Sequence, residues 1–270
     1  MTRTDGYLLD HRQTEATERL DAFADLFDPT TFRHLAEVGV GPGWRCWEIG
    51  AGGPSVVSWL AKRVGPTGRV LATCTDASRL ASVARSPVEV LHHDIAIEEP
   101  PADGFDLVHA RLPFVGAADR ERAVRTMVTS LRPGGHLLVE DTDLALQPLA
   151  CPDEHGPEQR LANRLRHGFG KLLTDQGADL ARGCTLPRLL RAAGLSDVRA
   201  DAYFPLAAPA CAALESATLR LVRDQLVTAG LATDQDIDEH LGHVASGALD
   251  LSTAPLISAR GRKRQGSGAG

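Results

Sequence analysis

The chain has 270 residues, 43% of them hydrophobic, with 35 acidic against 29 basic side chains and a net charge of −6. This is enough apolar material for one large α/β core with an added cap or for two small domains, and the acidic balance argues against nucleic acid as the main partner. No apolar run is long enough to span a membrane, the N-terminal MTRTDGYLLDHRQTE lacks the apolar centre of a secretory leader, and Cys46, Cys74, Cys151, Cys184 and Cys211 show no CxxC or zinc spacing, so a cytoplasmic protein with reduced thiols is expected.

Residues 7–38 read as helical, with Leu20, Phe23, Ala24 and Phe27 at helical spacing and a break predicted at Asp28-Pro29. The glycine-rich GVGPGWR then serves as a connection. From Arg45, short apolar strands alternate with helices. Strands are predicted over 45–50, 69–74, 88–93, 105–111 and 136–142, and helices over 55–64, 77–85 and 118–131. Pro66-Thr67-Gly68, Pro100-Pro101 and Pro133-Gly134-Gly135 punctuate them. This alternation predicts a parallel, doubly wound sheet. Further helices are predicted over 153–176 and 184–194, then a strand over 198–204, two helices within 209–246 and a last strand near 254–262. The tail RKRQGSGAG reads as disordered.

The most informative stretch is RCWEIGAGGPS, residues 45–55. An apolar strand runs into a turn with Gly50 and Gly52, and a helix follows. Glu48 stands near the carboxyl end of that strand, where open α/β sheets bind ligands. A dinucleotide fingerprint would need glycine or alanine at Ser55. The E-x-G-x-G spacing resembles instead motif I of class I S-adenosylmethionine (SAM) methyltransferases. Four later segments match in order: GPTGRVLATCTD, HHDI at 92–95, FDLVHARL at 105–112 and LRPGGHLLVEDTD at 131–143. Over residues 7–262 the chain is similar to the actinobacterial small-molecule group related to the ubiquinone/menaquinone type.

The resemblance implies a Rossmann-like seven-stranded sheet with its last strand antiparallel, helical cap insertions and an N-terminal helical segment. It implies a lid over 1–44, a SAM-binding core over 45–143, a cap insertion over 144–183, core again over 184–204, a helical cap over 205–250 and a final core strand over 251–263, with 264–270 as tail. Glu48 would lie near the methionine ammonium beside the backbone of Gly50, Ala51 and Gly52. Asp94 would accept from the adenine amino group and Ile95 would pack on the ring. Arg111 would line the cavity where cofactor meets substrate, and Tyr7 lies in a segment that closes over SAM in such folds. The acid that holds the ribose hydroxyls in the family is replaced by Cys74, a poor bidentate acceptor. Thr75 and Asp76 follow, and Asp76 is the acid within reach. The resemblance implies methyl transfer from SAM, which leaves S-adenosylhomocysteine (SAH), to a small-molecule acceptor in secondary metabolism. Because of Cys74, a second reading is a methyltransferase-fold enzyme that catalyses a cyclisation or rearrangement, with SAM structural or lost.

An oxygen acceptor would need a base. Among ten histidines, His11, His155 and His167 lie in segments that would cover the pocket, and His109 stands in the fourth strand. Glu140, Asp141 and Asp143 cluster at the end of the fifth strand; the alternatives are a Mg²⁺ site of the catechol-methyltransferase kind, or one acid facing the pocket with the others capping the next segment, and the second is the expectation, so no metal is expected. The stripe Leu214, Ala217, Leu221 reads as cap core or as a homodimer face.

Overall fold

A computed structural model describes residues 14–112 and 120–265. Its elements are α1 (Thr14–Val38), β1 (Arg45–Ile49), α2 (Pro54–Val64), β2 (Arg69–Cys74), a 3-10 turn (Ala77–Leu80), β3 (Val88–His92), β4 (Phe105–Arg111), α3 (Arg120–Ser130) and β5 (Leu131–Thr142). They continue with α4 (Pro157–Asp175), α5 (Arg182–Ala192), β6 (Leu195–Tyr203), α6 (Pro209–Thr228), α7 (Asp234–Ala245) and β7 (Leu256–Lys263). The seven strands form one sheet in the order β3-β2-β1-β4-β5-β7-β6. Strands β1 to β5 pair in parallel, and β7 runs antiparallel to both β5 and β6. After β1 the chain moves to one side of the sheet and returns to β4 on the other. The carboxyl ends of β1 and β4 therefore flank the topological switch point, where this architecture opens a crevice.

The chain divides into two compact units, one comprising Asp28–Thr142, Arg182–Tyr203 and the segment from Leu256 on, the other the remainder. The first unit holds the sheet, and alternate strand residues build a core on each face. Trp47, Ile49, Phe105, Val108, Leu137 and Val139 pack with Met127 of α3 and Leu186 and Leu190 of α5. On the opposite face Cys46, Val70, Leu107 and Leu138 pack with Leu35 of α1 and with Val57, Leu60 and Val64 of α2. The α2 residues are a helical stripe, and each fully buried aliphatic contributes about 1.5–3 kcal/mol. Glu48 and His109 share the parity of Cys46 and Leu107, so they point to the α1/α2 face. That placement sets the chemistry of the site.

In the second unit Leu161, Leu165 and Leu172 of α4 pack with Leu219, Leu221, Val222 and Leu226 of α6 and Ile237 of α7. Leu214 and Ala217 are buried there too, at 7% and 1% exposure, so the stripe at 214–221 is core of this unit. Arg166 and Glu215 form a buried ion pair at 2.6 Å, with His240 Nε2 3.4 Å from the same carboxylate. No described helix is long and apolar enough to cross a membrane.

Three elements differ most from the sequence expectation. The break at Asp28-Pro29 is absent, and α1 runs through Pro29. Proline removes one backbone bond. The tertiary ties around it outweigh that loss: Asp28 accepts from Arg111 at 2.7 Å, Leu35 is fully buried, and Phe32 stacks on Trp59 with ring centroids 5.5 Å apart. The helix predicted over 77–85 shrinks to one 3-10 turn. Between 77 and 87 only Leu80 is buried, too little apolar surface to hold a longer helix.

Strand β5 begins at Leu131, five residues earlier than the alternation suggests, and its pairing with β4 shifts register between Phe105 and Leu107. Gly134 turns there with φ +79, and a Cβ at Gly135 would lie 2.8 Å from Phe105 O and 3.0 Å from Arg132 O. Both neighbours are backbone and cannot swing away. Gly135→Ala is expected to cost about 1–3 kcal/mol of stability, read from urea unfolding. A wild-type midpoint would refute this close approach.

Candidate functional site

The carboxyl end of β1 is built for a tight turn. Gly50 has φ +67, a conformation that side chains disfavour, and open space surrounds its Cβ position. Ala51 N donates to Thr73 O at 3.0 Å, which ties the turn to β2. Below it Trp47 Nε1 donates to Thr73 Oγ1 at 2.9 Å. Helix α2 then starts at Pro54, with Gly53 as an extended N-cap and no side chain bonded to the first turn. Proline suits this position because its missing N–H would have had no helical partner. The N–H groups of the first turn and the positive end of the helix dipole face the glycine turn.

Beside the turn lies a buried polar network. The pairing of β1 with β4 sets Glu48 opposite His109, and that of β4 with β5 sets Arg111 opposite Glu140. His109 Nδ1 donates to Glu48 Oε2 at 2.5 Å, and Nε2 lies 3.4 Å from Glu140 Oε2. Glu140 also accepts from Thr31 Oγ1 at 2.5 Å and from Ser258 Oγ at 2.6 Å. Arg111 Nη1 donates to Asp28 Oδ1 at 2.7 Å and to Thr31 Oγ1 at 3.3 Å. His109 and Glu140 have no exposed surface and Glu48 is 4% exposed. Burial alone would lower the His109 pKa, but the charge of Glu48 and the hydrogen bonds to Glu140 and Glu48 raise it to about 9. Burial alone would raise Glu140, but the hydrogen bond and charge of His109, with Arg111 and Ser258, hold it at about 2. At neutral pH this is an imidazolium clamped between two carboxylates.

This geometry corrects one reading. His109 has both ring nitrogens committed and no exposure, so it is not a base that could take a substrate proton. The guanidinium of Arg111 braces α1 through Asp28 and Thr31, so part of its donor set is spent on that helix. The partners Asp28, Thr31 and Ser258 were not anticipated. The remaining candidates are dispersed. Cys74 is buried, its thiol donates to Asp76 O at 3.2 Å, and burial, partly offset by that bond, raises its pKa. Asp76 Oδ1 accepts from Ser78 N at 3.0 Å and caps the 3-10 turn, while Thr75 is exposed. Asp94 Oδ1 accepts from Ala96 N at 2.8 Å. Ile95 is 7% exposed and packs into the core cluster with Ile49 and Phe105. His155 is a surface side chain 3.5 Å from Asp153. His167 lines a cavity of about 670 Å³ in the helical unit, with Arg160, Arg164 and Lys171 on the same face of α4. Tyr7 and His11 lie outside the described residues. Glu140 and Asp141, as strand neighbours, point to opposite faces, and Asp143 Oδ1 caps the next turn by accepting from Leu146 N at 3.1 Å. Among the described residues no three His, Cys, Asp or Glu side chains converge as a metal site.

The stretch from β1 through most of β5, residues 47–139, matches the family model of a methyltransferase domain. It is a class I SAM-dependent methyltransferase domain. A curated relative is the ubiquinone/menaquinone biosynthesis C-methyltransferase UbiE of Laribacter hongkongensis, 31% identical over 122 residues that cover 43% of this chain and 50% of that protein. Methyltransferase GfsG of Streptomyces halstedii is 27% identical over 142 residues, 42% of this chain and 48% of that one. The chain thus spans about half the length of these two relatives. Among solved structures, Haemonchus contortus phosphoethanolamine N-methyltransferase 2 in complex with SAM aligns over 98% of this chain and 62% of that one, at 14% identity and a TM-score of 0.58. That likeness is one of fold. In the methyltransferase domain the residues at the methionine end of a SAM molecule fit the group: an open glycine turn, an uncapped helix start and the acid Glu48 beside them. At the ribose end the fit rests on Asp76, because the Cys74 proton is already donated to a backbone carbonyl.

Proposed function

We propose that this protein transfers a methyl group from SAM to a small-molecule acceptor, in secondary metabolism and in the cytoplasm. The observation that carries the reading is the open Gly50 turn between Glu48 and the uncapped start of α2, at the switch point of a methyltransferase domain. SAM would supply a methyl already activated by its sulfonium. The chain's part is to bind, align and exclude water. The Glu48 carboxylate offers the counter-charge for an ammonium, and the backbone of Gly50, Ala51 and Gly52 lets the amino-acid end approach. Asp76 takes the ribose hydroxyls and Asp94 the adenine amino group. Of the described histidines proposed as bases, His167 lines a cavity in the helical unit. The buried thiols Cys46, Cys74, Cys151 and Cys211 support a reducing compartment.

Calorimetry with SAH, followed by transfer of labelled methyl from SAM to an acceptor panel, tests the proposal. Wild-type binding and turnover are expected. No binding by either the wild type or Cys74→Asp would overturn it. Tight binding without turnover on any acceptor would favour the cyclisation or rearrangement reading. Glu48→Ala is expected to weaken SAH binding about tenfold or more, the scale of one charged hydrogen bond at a ligand. An unchanged affinity would remove Glu48 from the site.

A further inference from the structure

We infer that His109 is a positioning residue of the proposed cofactor site: its buried ring bridges Glu48 and Glu140, fixes the Glu48 carboxylate at the carboxyl end of β1 and ties that carboxylate to α1. The inference rests on the SAM-binding reading above. Glu48 is the acid proposed to face the ammonium, yet nothing in its own strand would hold a flexible side chain in place. The hold comes from His109 at 2.5 Å. The ring is kept from rotating by its second nitrogen, 3.4 Å from Glu140, and Glu140 is pinned by Thr31 of α1 and Ser258 of β7. The charged groups that face the imidazole are Glu48 from β1 and Glu140 from β5. Arg111 on its own strand and Asp28 from α1 lie one contact further out.

Two carboxylates around one imidazolium leave a surplus negative charge within the cluster. An ammonium beside Glu48 would neutralise that surplus, whereas a ligand with no ammonium would not. The arrangement therefore selects the charged amino-acid end of the cofactor rather than its nucleoside end. A bridge that only supported the fold would make no such distinction.

The test compares SAH with 5′-methylthioadenosine, which shares the nucleoside and thioether but has no ammonium. In His109→Leu, SAH affinity is expected to fall about tenfold to a hundredfold, the scale of losing a charged hydrogen bond at a ligand. Methylthioadenosine affinity should stay within about twofold of wild type, well under the tenfold that one such bond represents. His109→Asn, which keeps a donor toward Glu48, should recover part of the SAH loss. Equal losses for both ligands, or wild-type SAH affinity in both variants, would overturn the inference. If the wild type binds neither ligand, it is the SAM reading that fails. Should the variants not fold, the imidazole resonance of the wild-type protein decides. By linkage, SAH bound beside Glu48 must lower the titration midpoint of His109, and methylthioadenosine must leave it in place. A midpoint that ignores SAH would refute the positioning role.

Discussion

Glu140→Leu is expected to lower the free energy of unfolding by about 3–5 kcal/mol, the range for removing one partner of a buried charge cluster. Leucine is close in volume, so the cost is electrostatic and not one of packing. Glu140 is fully buried, and its oxygens satisfy three donors: Thr31 Oγ1, Ser258 Oγ and the His109 ring. Removing it strands two hydroxyls without their acceptor and leaves the imidazolium with Glu48 alone. Glu140→Gln keeps the shape and one acceptor oxygen, so it should lose less. Urea unfolding monitored by circular dichroism gives both values. A loss below about 1 kcal/mol for Glu140→Leu would mean that the cluster relaxes or floods with water, and that it does not pin α1 to the sheet. A companion measurement sharpens this. Without the Glu140 charge the His109 midpoint must fall from about 9, because the hydrogen bond and Coulomb attraction from Glu140 are among the contributions that raise it.

The same cluster shows what the sequence displayed and what it hid. The glycine turn, the strand–helix alternation and the order of the later motifs are local patterns, set by residues within a few positions of each other. They sufficed for the parallel part of the sheet, while the antiparallel β7 was implied by the family resemblance that those motifs carry. The polar network joins residues far apart in the chain: His109 to Glu48 over 61 positions, Arg111 to Asp28 over 83, Thr31 to Glu140 over 109 and Ser258 to Glu140 over 118. No spacing rule connects such residues. One signal was present. Glu48, His109 and Glu140 each interrupt or close an apolar run of a central strand, after Cys46-Trp47, Leu107-Val108 and Leu137-Leu138-Val139, and a charge buried there must find a partner. Read as a set, three such interruptions on neighbouring strands point to one another. Pro29 misled for the complementary reason: proline states a local cost, and the tertiary contacts of Asp28, Phe32 and Leu35 that offset it are not local. Cys74 shows a further limit. The missing acid was visible, but the bond from its thiol to Asp76 O depends on how the chain turns after β2.

Between pH 6.5 and 9 the stability of this protein should decline by about 3 kcal/mol, and the decline should vanish in His109→Asn. A histidine unfolded in water titrates near 6.5, and in the folded chain His109 titrates near 9. Its folded pKa is raised, so the stabilisation is complete below about 6.5 and is lost as the pH climbs through 9. The interval between those values corresponds to about 3 kcal/mol. Asparagine cannot titrate, so the variant starts from lower stability but stays level across the window. Above about 9 a second loss begins, because the buried thiols Cys46, Cys74, Cys151 and Cys211 ionise only after unfolding, their pKa values being raised by burial. That part is common to both proteins and cancels in the difference. Below pH 6.5 the controlling groups change. Glu140 and Glu215, each held near 2 against the cost of burial by His109 and by Arg166 respectively, stabilise above about 4.5 and lose that contribution as the pH falls toward 2. His136, half-buried and beside Arg262, titrates below its usual range and adds to the acid loss from about 6.5 downward. The acid side is therefore shared among several groups, and the alkaline window belongs to His109. Urea midpoints measured at half-unit steps from pH 6 to 9 decide the matter. A wild-type curve as level as that of His109→Asn would mean that the imidazole is neutral between its two carboxylates, and the ionic account of this cluster would fall with it.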